Sequence, residues 1–497
     1  MTKLTGIKVV LTASETEMDE CEGGPLMCFI PTSPIGRNIL GFAERRTNAS
    51  PERTAEGRAK YAPYGLRKVE AVLLENGFSE SEVAVVHPKD LKHFIGPETK
   101  VVGISSMDPT GKGYVGQTYA SIIGREESTC AADVRKLLND SSIKKFKPIV
   151  ILGGYGSWQL EVKNEDTRDY SVDCVLIDGR QEAIMKVFSE AVDGKPLPRV
   201  VRSEESLGNS DYTTMPLIKH AATYGTVEIS KGCGRKCQFC TPTMQIRYDI
   251  PLERIRREVE VNLIDGAECI YLVTEDFLMY GTNDNSFIPN KTALINLLRN
   301  LAKCSGLKAI LPSSFSLAPV VCNPGLVQEA SEILLEYPWY SYGGKPIVMS
   351  ETGIETGSTR LMQKYMAGKM RPFEAGQWIE IINQAMGILN DNYWYPIVSI
   401  IVGLPDEKED DLVETLELLD DLEEFRALYI PLIFSPLETN RAISRMSLEL
   451  ITLCWKYNMK IWKDSIASKG INQVPINKIA KSLLDSIERL KGSSSNG

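Results

Sequence analysis

The sequence is poor in histidine, has no excess of positive charge and carries no long apolar run. Only three of its 497 residues are histidine, and its formal net charge of -9 argues against a nucleic-acid binder held by general positive charge, although a local basic pocket stays open. No apolar run approaches the ~20 residues of a membrane span, and the N-terminal apolar stretch soon turns acidic, unlike a secretory signal. We therefore expect a cytoplasmic protein without a transmembrane segment, with a membrane-peripheral position as the alternative.

Catalytic arrangements that depend on histidine or on a phosphate loop are also missing from the sequence. We find no Ser-His-Asp constellation and no P-loop, since the glycine-rich GKGYVG at 111–116 is too loose to count as one. The eleven cysteines do not form a disulfide framework. Outside one cluster they are scattered singly, at Cys21, Cys28, Cys130, Cys174, Cys269, Cys304, Cys322 and Cys454. We interpret most of these as buried thiols that act as small apolar groups.

The first two hundred residues alternate short β-rich runs with helical patterns, which predicts a doubly wound parallel sheet. Strands are predicted at 7–13, 83–86, 100–107, 147–154 and 173–179, and helices at 64–77, 132–142 and 182–192. Ligands of such sheets lie beyond the carboxyl ends of the strands, which here carry SSMDPTGKG, GGYGSW and DGRQEA. Glycines in these loops would let the backbone approach a ligand closely.

A hydrophilic linker at 201–220 precedes a second alternating series. About six β/α units follow between 221 and 438, and they predict a barrel or an incomplete barrel whose active site gathers at the carboxyl ends of the strands. The part from 439 to 497 is predicted to be helical and to end in the disordered polar tail KGSSSNG. The predicted fold class is therefore α/β, with a Rossmann-like domain at 1–200, then the barrel, then a helical C-terminal region.

Three cysteines lie close together in the stretch KGCGRKCQFC, just after the first strand of the second series. Cys233, Cys237 and Cys240 have the spacing C-x3-C-x2-C, and three thiolates on one short loop can hold three irons of a cubane cluster, leaving the fourth iron open. A zinc site with His220 as the fourth ligand is one alternative, and packing residues or a redox pair are another. Three cations flank the thiols and would offset their negative charge: Lys231, Arg235 and Lys236.

This loop resembles the cluster loop of the radical S-adenosylmethionine (SAM) enzymes, including the aromatic Phe239 before the third cysteine. The resemblance implies a partial (β/α)6 barrel and a 4Fe-4S cluster whose open iron chelates SAM, so that one-electron reduction splits SAM into methionine and a 5'-deoxyadenosyl radical. The residues that match SAM-binding segments are Glu275 and Asp276 for the amino group, Glu355 and Ser358 for the ribose, and Val402 and Gly403 near the adenine. Taken alone, an acidic residue at a strand end is at least as often a helix cap as a ligand.

Residues 1–200 resemble the front domain of the large cobalamin-binding branch of this superfamily. The resemblance implies cobalamin as a further cofactor, held by loops that carry Ser105, Ser106, Met107, Asp108, Gly153, Gly154, Tyr155, Gly156, Asp178 and Gly179. The motif D-x-H-x-x-G, in which a histidine coordinates cobalt, is absent, so cobalt would lack a histidine ligand from this protein. The alternative is a doubly wound domain that has kept its shape and lost the corrin, because a fold alone does not establish a ligand.

The first hypothesis for function is an enzyme that abstracts hydrogen from an unactivated sp3 carbon and forms a carbon-carbon bond. It would do so by methyl transfer from cobalamin or by ring closure in a lipid, because the opening VVLTASETEMDECEGGPLMCFIPTSPIG resembles archaeal members such as the tetraether-lipid ring synthases. The resemblance implies an external electron donor of the ferredoxin or flavodoxin type and a lipid, peptide or protein substrate. Two alternatives are a radical SAM enzyme without cobalamin and a non-catalytic iron-sulfur electron carrier or sensor.

Overall fold

The computed structural model describes most of the chain. The described residues are 5–20, 24–27, 51–123, 127–161, 170–177, 179–202, 215–240, 246–282, 286–434, 444–462, 466–468, 471–474 and 476–493. Backbone packing divides them into two compact units. The front unit consists of the described residues up to Thr226, apart from 24–27, together with Glu260–Ala267, and the barrel unit consists of the rest.

The front unit is built on a six-stranded parallel sheet. Its strands are β1 (Val9–Ala13), β2 (Val83–Val85), β3 (Val101–Ser105), β4 (Ile149–Gly153), β5 (Cys174–Leu176) and β6 (Val200–Val201). The spatial order is β2-β1-β3-β4-β5-β6, so the chain proceeds to one side from β1 and then to the other. Such a reversal marks the position where doubly wound sheets bind ligands, here between the carboxyl ends of β1 and β3.

Helices cover both faces of this sheet. They are α1 (Glu15–Met18), α2 (Tyr64–Glu75), α3 (Leu91–Phe94), α4 (Tyr114–Ile123), α5 (Thr129–Leu138), α6 (Ser141–Phe146) and α7 (Gln181–Val192). Successive residues of β1 point to opposite faces. Val9 and Leu11 therefore pack in one apolar core with α2 and α7, while Val10 packs in a second core with α5 and α6. The predicted doubly wound domain is confirmed.

In its described part, the barrel unit contains twelve strands, and six of them are the parallel strands that the sequence predicts. Its strands in chain order are β7 (Val227–Glu228), β8 (Ser230–Lys231), β9 (Tyr248–Asp249), β10 (Cys269–Val273), β11 (Ala309–Pro312), β12 (Tyr340–Tyr342), β13 (Lys345–Ile347), β14 (Glu351–Glu355), β15 (Ile397–Val402), β16 (Leu428–Ile433), β17 (Ile466–Ser468) and β18 (Ile471–Val474). The parallel strands form the sheets β11-β10-β7 and β14-β15-β16, and a parallel bridge between Ser314 and Glu351 joins the two. This arrangement is the expected partial (β/α)6 barrel.

The helices of the barrel unit alternate with these strands. They are α8 (Leu252–Ile264), α9 (Lys291–Leu301), α10 (Leu317–Cys322), α11 (Pro324–Glu336), α12 (Thr359–Met366), α13 (Trp378–Asp391), α14 (Glu409–Asp421), α15 (Arg445–Ile461) and α16 (Ile476–Ser493). Within the ranges given above, no helix combines the length and the apolar composition that crossing a bilayer requires.

The C-terminal region differs from the prediction in one respect, because two strands separate its helices. β17 and β18 join β12 and β13 in a four-stranded antiparallel sheet, in which Tyr340 pairs with Ser468. The apolar stretch from 346 to 355 is divided between two strands: β13 belongs to this sheet, and β14 belongs to the barrel. The tail predicted as disordered from Lys491 is helical as far as Ser493, and the residues after it lie outside the described ranges.

Candidate functional site

The cysteine loop follows β8 and is folded tightly by backbone angles that few residues adopt. Gly232 and Gly234 have φ values of 67° and 73°, and Lys236 has a φ of 57°. Glycine adopts positive φ freely, whereas lysine does so at an energetic cost. At the end of the loop the Cys240 amide donates to the Cys237 carbonyl oxygen at 3.2 Å, and the half-buried Phe239 lies inside this turn. The loop is therefore a compact, ordered element.

None of the three thiols of the loop is in a disulfide, and the three lie within electrostatic reach of one another. A hydrogen bond from the Cys240 thiol lowers the pKa of Cys237 to about 7; burial opposes this shift, and attraction by Lys369 supports it. The same bond holds the proton of Cys240 and raises its pKa, and burial raises the pKa of Cys233. Cys237 is thus substantially ionised near neutral pH, and the thiolate is the form that binds metal.

The donor set fits a cubane better than a single ion. Among the described residues, no group of three or more His, Cys, Asp or Glu side chains is arranged to hold one metal ion. A cubane makes a different demand, because each of its irons takes its own thiolate. Three thiols outside any disulfide, spaced along one compact loop, meet that demand for three irons. His220, the alternative fourth zinc ligand, belongs to the front unit, where its Nδ1 lies 3.6 Å from the Asp265 carboxylate.

Arg235 fastens the cysteine loop to the rest of the barrel unit. Its buried guanidinium lies 3.1 Å from the fully buried carboxylate of Asp276. It also donates to the carbonyl oxygens of Gly368, Lys369 and Arg371, at 3.3, 3.1 and 2.9 Å. The contact is close, since a Cβ on Gly368 would lie 1.9 Å from the Arg235 carbonyl oxygen. The sequence predicts that Arg235 offsets the negative charge of the thiolates. In the structure its direct contacts are the ion pair with Asp276 and the bonds to three carbonyl oxygens, which hold the loop in place.

Lys369 is a cation near the thiols that sequence analysis misses. It follows α12, is almost fully buried and forms an ion pair with Glu355. Burial lowers the pKa of Lys369, but attraction by Glu355 and Cys237 outweighs it, so that the pKa is raised overall. The side chain is therefore a charged ammonium. No local motif marks it, because only the fold brings its segment against the cysteine loop.

The two acidic residues predicted after β10 have different environments. Both carboxylate oxygens of Asp276 have partners within the protein, because Asp276 accepts from Arg235 and, at 3.1 Å, from the Ser316 amide. Glu275 is half-buried, and its enclosed Oε2 has no hydrogen-bond partner among the described residues. Burial and the negative charge of Glu228 raise the pKa of Glu275 to about 7. An enclosed oxygen without a partner favours a ligand that donates to it, so Glu275 is the better candidate of the two.

A chain of hydroxyl groups holds the carboxyl ends of the strands that carry these acids. Ser230 and Thr274 share a hydrogen bond of 2.6 Å between their hydroxyl oxygens. The Ser313 hydroxyl donates to the Thr274 carbonyl oxygen at 2.7 Å, and the Ser350 hydroxyl donates to the Ser313 carbonyl oxygen at 3.0 Å. The Asp276 amide in turn donates to the Thr274 hydroxyl at 3.1 Å. These neutral bonds fix the strand ends without adding charge.

The residues predicted near the ribose are largely engaged with the protein. Glu355 has a φ of 61°, pairs with Lys369 and accepts from the Ser399 hydroxyl at 3.1 Å. Ser358 is fully buried; it caps the N-terminus of α12 and donates to Asp411 at 2.5 Å. Ser358 is thus a helix cap, a role that sequence analysis raises only for the acidic residues.

The end of β15 offers open space next to the backbone. Val402 is buried, and Gly403 follows it with a φ of 83°. A Cβ on Gly403 would meet no atom within 4 Å. The Gly403 amide donates to Glu407 at 2.8 Å, and burial raises the pKa of that carboxyl group to about 7. Gly403 is therefore free on one side to accept a flat group of a ligand.

In the front unit, the loops after β3 and β4 interlock. The Ser106 amide donates to Gly153 at 3.0 Å, and the Gly156 amide donates back to Ser106 at 2.9 Å. Asp108 is buried and accepts from the Gly113 amide at 2.8 Å, and from Gln159 and Ser128 at 2.9 and 3.2 Å. Gly154 and Gly156 let these two loops approach each other, since a Cβ on either would lie less than 3 Å from the backbone of Ser106 or Met107.

The predicted cobalamin residues divide into buried and exposed sets. Ser106, Asp108 and Gly156 are buried, and Ser105 and Gly153 are half-buried. Met107 and Tyr155 are 67% and 57% exposed, and Gly154 and Gly179 are exposed as well. Asp178 lies outside the described residues. Each of the two loops thus carries one large exposed side chain, Met107 on the first and Tyr155 on the second.

A substitution at Gly156 tests this interlock. A Cβ there would lie 2.2 Å from the Met107 carbonyl oxygen, so we expect Gly156→Ala to destabilise the front unit by about 1–3 kcal/mol. Gly179→Ala is the matched control, because a Cβ at Gly179 meets nothing within 4 Å. Thermal unfolding of the full chain measures both variants. Equal midpoints for the two would contradict the interlock.

The family of the barrel unit follows from a comparison of sequences. Residues 227–419 match the sequence model of the Radical SAM superfamily. This stretch is a radical SAM domain. The match begins at β7 and covers the cysteine loop and the candidate residues as far as Gly403. The resemblance predicted from KGCGRKCQFC is thereby confirmed.

Curated relatives of this chain include two kinds of methylthiotransferase. It is 27% identical over 205 residues to the ribosomal protein uS12 methylthiotransferase RimO of Thermotoga petrophila, covering 40% of this chain and 42% of that protein. It is 25% identical over 345 residues to the tRNA-2-methylthio-N(6)-dimethylallyladenosine synthase of Thermosipho africanus, covering 66% and 68%. The chain thus spans less than half the length of the RimO relative.

Solved structures extend the comparison to the fold. The methyltransferase TsrM of Kitasatospora setae, solved with cobalamin and a [4Fe-4S] cluster bound, has a TM-score of 0.52 at 11% identity and covers 86% of this chain and 72% of its own. The cobalamin-dependent SAM radical enzyme OxsB with aqua-cobalamin has a TM-score of 0.50 at 13% identity, covering 98% and 57%. The chain therefore has the fold of the cobalamin-binding branch that sequence analysis predicts.

Proposed function

We propose that this protein is a radical SAM enzyme whose 4Fe-4S cluster is held by Cys233, Cys237 and Cys240. The single observation that carries the proposal is the radical SAM match over a loop that carries three thiols, none of them in a disulfide. When bound, the cluster and SAM would supply a 5'-deoxyadenosyl radical after one-electron reduction. The chain's own contribution is to bind, orient and exclude water. An external donor of the ferredoxin or flavodoxin type would deliver the electron.

The residues for SAM follow the strand ends. Glu275 would accept hydrogen bonds from the ammonium group, because its Oε2 is enclosed without a partner among the described residues. Val402 and Gly403 would border the adenine, since the space beside Gly403 is open. Glu355 would reach the ribose while paired with Lys369. Phe239, Asp276 and Ser358 would then support the site: the latter two are already bonded inside the protein.

The Glu275 assignment predicts a pH-dependent affinity for SAM. The pKa of Glu275 is raised to about 7, so the carboxylate is ionised above that pH and protonated below it. An ammonium group binds the ionised form better, so we expect SAM affinity to fall as the pH decreases from 8 to 6. Glu275→Gln should weaken binding about 10- to 100-fold at pH 8, the size of a hydrogen bond to a charged group, and should flatten the pH profile.

Equilibrium dialysis with labelled SAM measures this affinity at each pH. Glu268→Gln is the matched control, since Glu268 lies in the same unit and its side chain is 58% exposed beside Lys308. Unchanged affinity and an unchanged pH profile in Glu275→Gln would remove Glu275 from the SAM site.

Cobalamin is proposed as the second cofactor. The solved neighbours TsrM and OxsB carry cobalamin in their structures. In the front unit, Met107 and Tyr155 expose apolar surface at the carboxyl edge of the sheet, where doubly wound domains bind ligands. The sequence lacks the motif D-x-H-x-x-G, so a corrin bound there would have no histidine ligand from that motif; His87 is buried against Asp19, and His93 is exposed on α3.

The reaction that these groups would serve is carbon-carbon bond formation at an unactivated sp3 carbon, by C-methylation or by ring formation in an archaeal membrane lipid. Methylthiolation is the second candidate, because RimO and the tRNA synthase are methylthiotransferases. Deleting the gene in its host and comparing lipids, methylated proteins and modified RNA by mass spectrometry distinguishes these outcomes. Loss of lipid rings, of one C-methyl mark or of one methylthio mark would each select one.

Absorbance of the anaerobically purified protein tests the cofactors. A corrin spectrum beside the cluster spectrum supports the cobalamin enzyme, and a cluster spectrum alone supports a radical SAM enzyme without cobalamin. Adding SAM to the reduced protein tests the third alternative. An electron carrier or sensor has no open iron, so an electron paramagnetic resonance (EPR) spectrum that SAM leaves unchanged would overturn the proposed enzyme.

A further inference from the structure

Lys369 is held rigidly in a buried position. Its side chain is 12% exposed and its ammonium pairs with Glu355, whose side chain is 8% exposed. Both charged groups lie against Gly353, where a Cβ would be 2.6 Å from the Lys369 Nζ and 1.8 Å from the Glu355 Oε1. A side chain on that residue of β14 would displace the pair. The ammonium is therefore fixed in place by its partner and by the backbone beneath it.

This rigid cation is attached to the cysteine loop. Arg235 donates to the Lys369 carbonyl oxygen at 3.1 Å, and the neighbouring Gly368 packs directly on the Arg235 backbone. The Gln238 amide, between two of the cysteines, donates to the Tyr365 carbonyl oxygen at 2.8 Å. The segment that carries Lys369 and the loop that carries the thiols thus share backbone bonds, so their separation cannot vary freely.

The two charges of the Lys369–Glu355 pair act on the Cys237 thiol in opposite directions. Lys369 attracts the thiolate of Cys237 more strongly than Glu355 repels it. Lys369 also acts on Cys240. In a buried site such a charge acts with far less screening than in water. A neutral ion pair therefore still presents a positive potential to the cysteine loop.

The other cations of the loop act less strongly on Cys237. Arg235 also attracts the Cys237 thiolate, but less than Lys369 does, and its guanidinium lies 3.1 Å from the fully buried Asp276. Lys236 is exposed, so solvent screens its charge. Lys231 is half-buried at the end of β8. Of these four cations, Lys369 therefore has the largest effect on Cys237.

We propose that Lys369 raises the reduction potential of the iron-sulfur cluster that Cys233, Cys237 and Cys240 would hold. The inference rests on the proposed function. Reduction adds one electron from the external donor to a cluster that already carries three thiolates, and the added negative charge is stabilised by the fixed ammonium. Lys369 keeps its proton and exchanges no electron. Net charge near a cluster is one of the factors that set its potential.

An EPR-monitored redox titration of the reconstituted holoenzyme, without SAM, tests the proposal. Lys369→Met should shift the midpoint potential to a more negative value, because the cation is lost and Glu355 is left unpaired. Lys369→Arg should stay near the wild type. Glu355→Gln should shift the potential the opposite way, because the ammonium then acts unopposed. Lys364→Met is the matched control, because Lys364 lies in the same segment, is 48% exposed and pairs with Asp406. The midpoint potential of the cluster in this variant should equal that of the wild type.

Different results would overturn the role of Lys369 and the cluster assignment. A midpoint potential in Lys369→Met equal to that of the wild type would overturn the role of Lys369 while leaving the cluster assignment intact. If Lys369→Met does not retain a cluster, the Glu355→Gln result decides, since an unshifted or lowered potential there contradicts the proposal. A wild-type protein with no cluster signal after reconstitution would overturn the proposed function itself.

Discussion

Cys237→Ala is expected to abolish both the cluster absorbance and the reductive cleavage of SAM. The thiol of Cys237 has the lowest pKa of the three loop cysteines, about 7, since it accepts from Cys240 and is attracted by Lys369. It is also the most buried of the three. Removing it takes away the thiolate that is ready to bind iron near neutral pH and leaves the loop with two thiols for three irons.

Iron and sulfide content and the yield of 5'-deoxyadenosine after reduction measure the effect. Cys322→Ala is the matched control, because Cys322 ends α10, is half-buried and lies outside the loop. The control should keep a full cluster and full SAM cleavage. A Cys237→Ala protein that still cleaves SAM reductively would refute the cluster assignment, whatever its iron content.

The main features of the fold can be predicted from the sequence because parallel strands are buried on both faces. Their runs of apolar and β-branched residues, such as VVLTA in β1 and IVSIIV in β15, stand out without any knowledge of their partners. The antiparallel sheet of β12, β13, β17 and β18 could not be found in this way. Its strands are short, and Tyr340 finds its partner Ser468 more than a hundred residues along the chain.

The same distinction applies to the site. The cysteine loop is local, so its spacing alone predicts its chemistry. Lys369 is 134 residues from Arg235, and nothing in GKMRPF marks it as a neighbour of thiols. Residue type also gives a misleading prediction where a residue could either bind a ligand or make contacts inside the protein. The place of Asp276 after β10 predicts a ligand-binding residue, yet its carboxylate pairs with Arg235, and nothing in the sequence shows that Gly156 lies against the Met107 backbone.

The second large effect is expected at Arg235, where Arg235→Met should release the cysteine loop. The variant loses bonds to three carbonyl oxygens and leaves Asp276, which is fully buried, without its counter-charge. Breaking one partner of a buried ion pair destabilises a protein by about 3–5 kcal/mol. We therefore expect a lower unfolding midpoint for the apoprotein and poor retention of iron after reconstitution.

Two further variants separate the loss of stability from the loss of loop position. In Arg235→Met/Asp276→Asn the unpaired charge is gone, so the unfolding midpoint should recover in part, while the bonds to Gly368, Lys369 and Arg371 stay lost. Iron retention should then remain low if Arg235 positions the loop. Lys236→Gln, which changes an exposed cation one residue away, should retain iron fully. If the double variant recovers both stability and iron, Arg235 only stabilises the fold. The loop would then hold iron without the bonds that Arg235 makes to the three carbonyl oxygens.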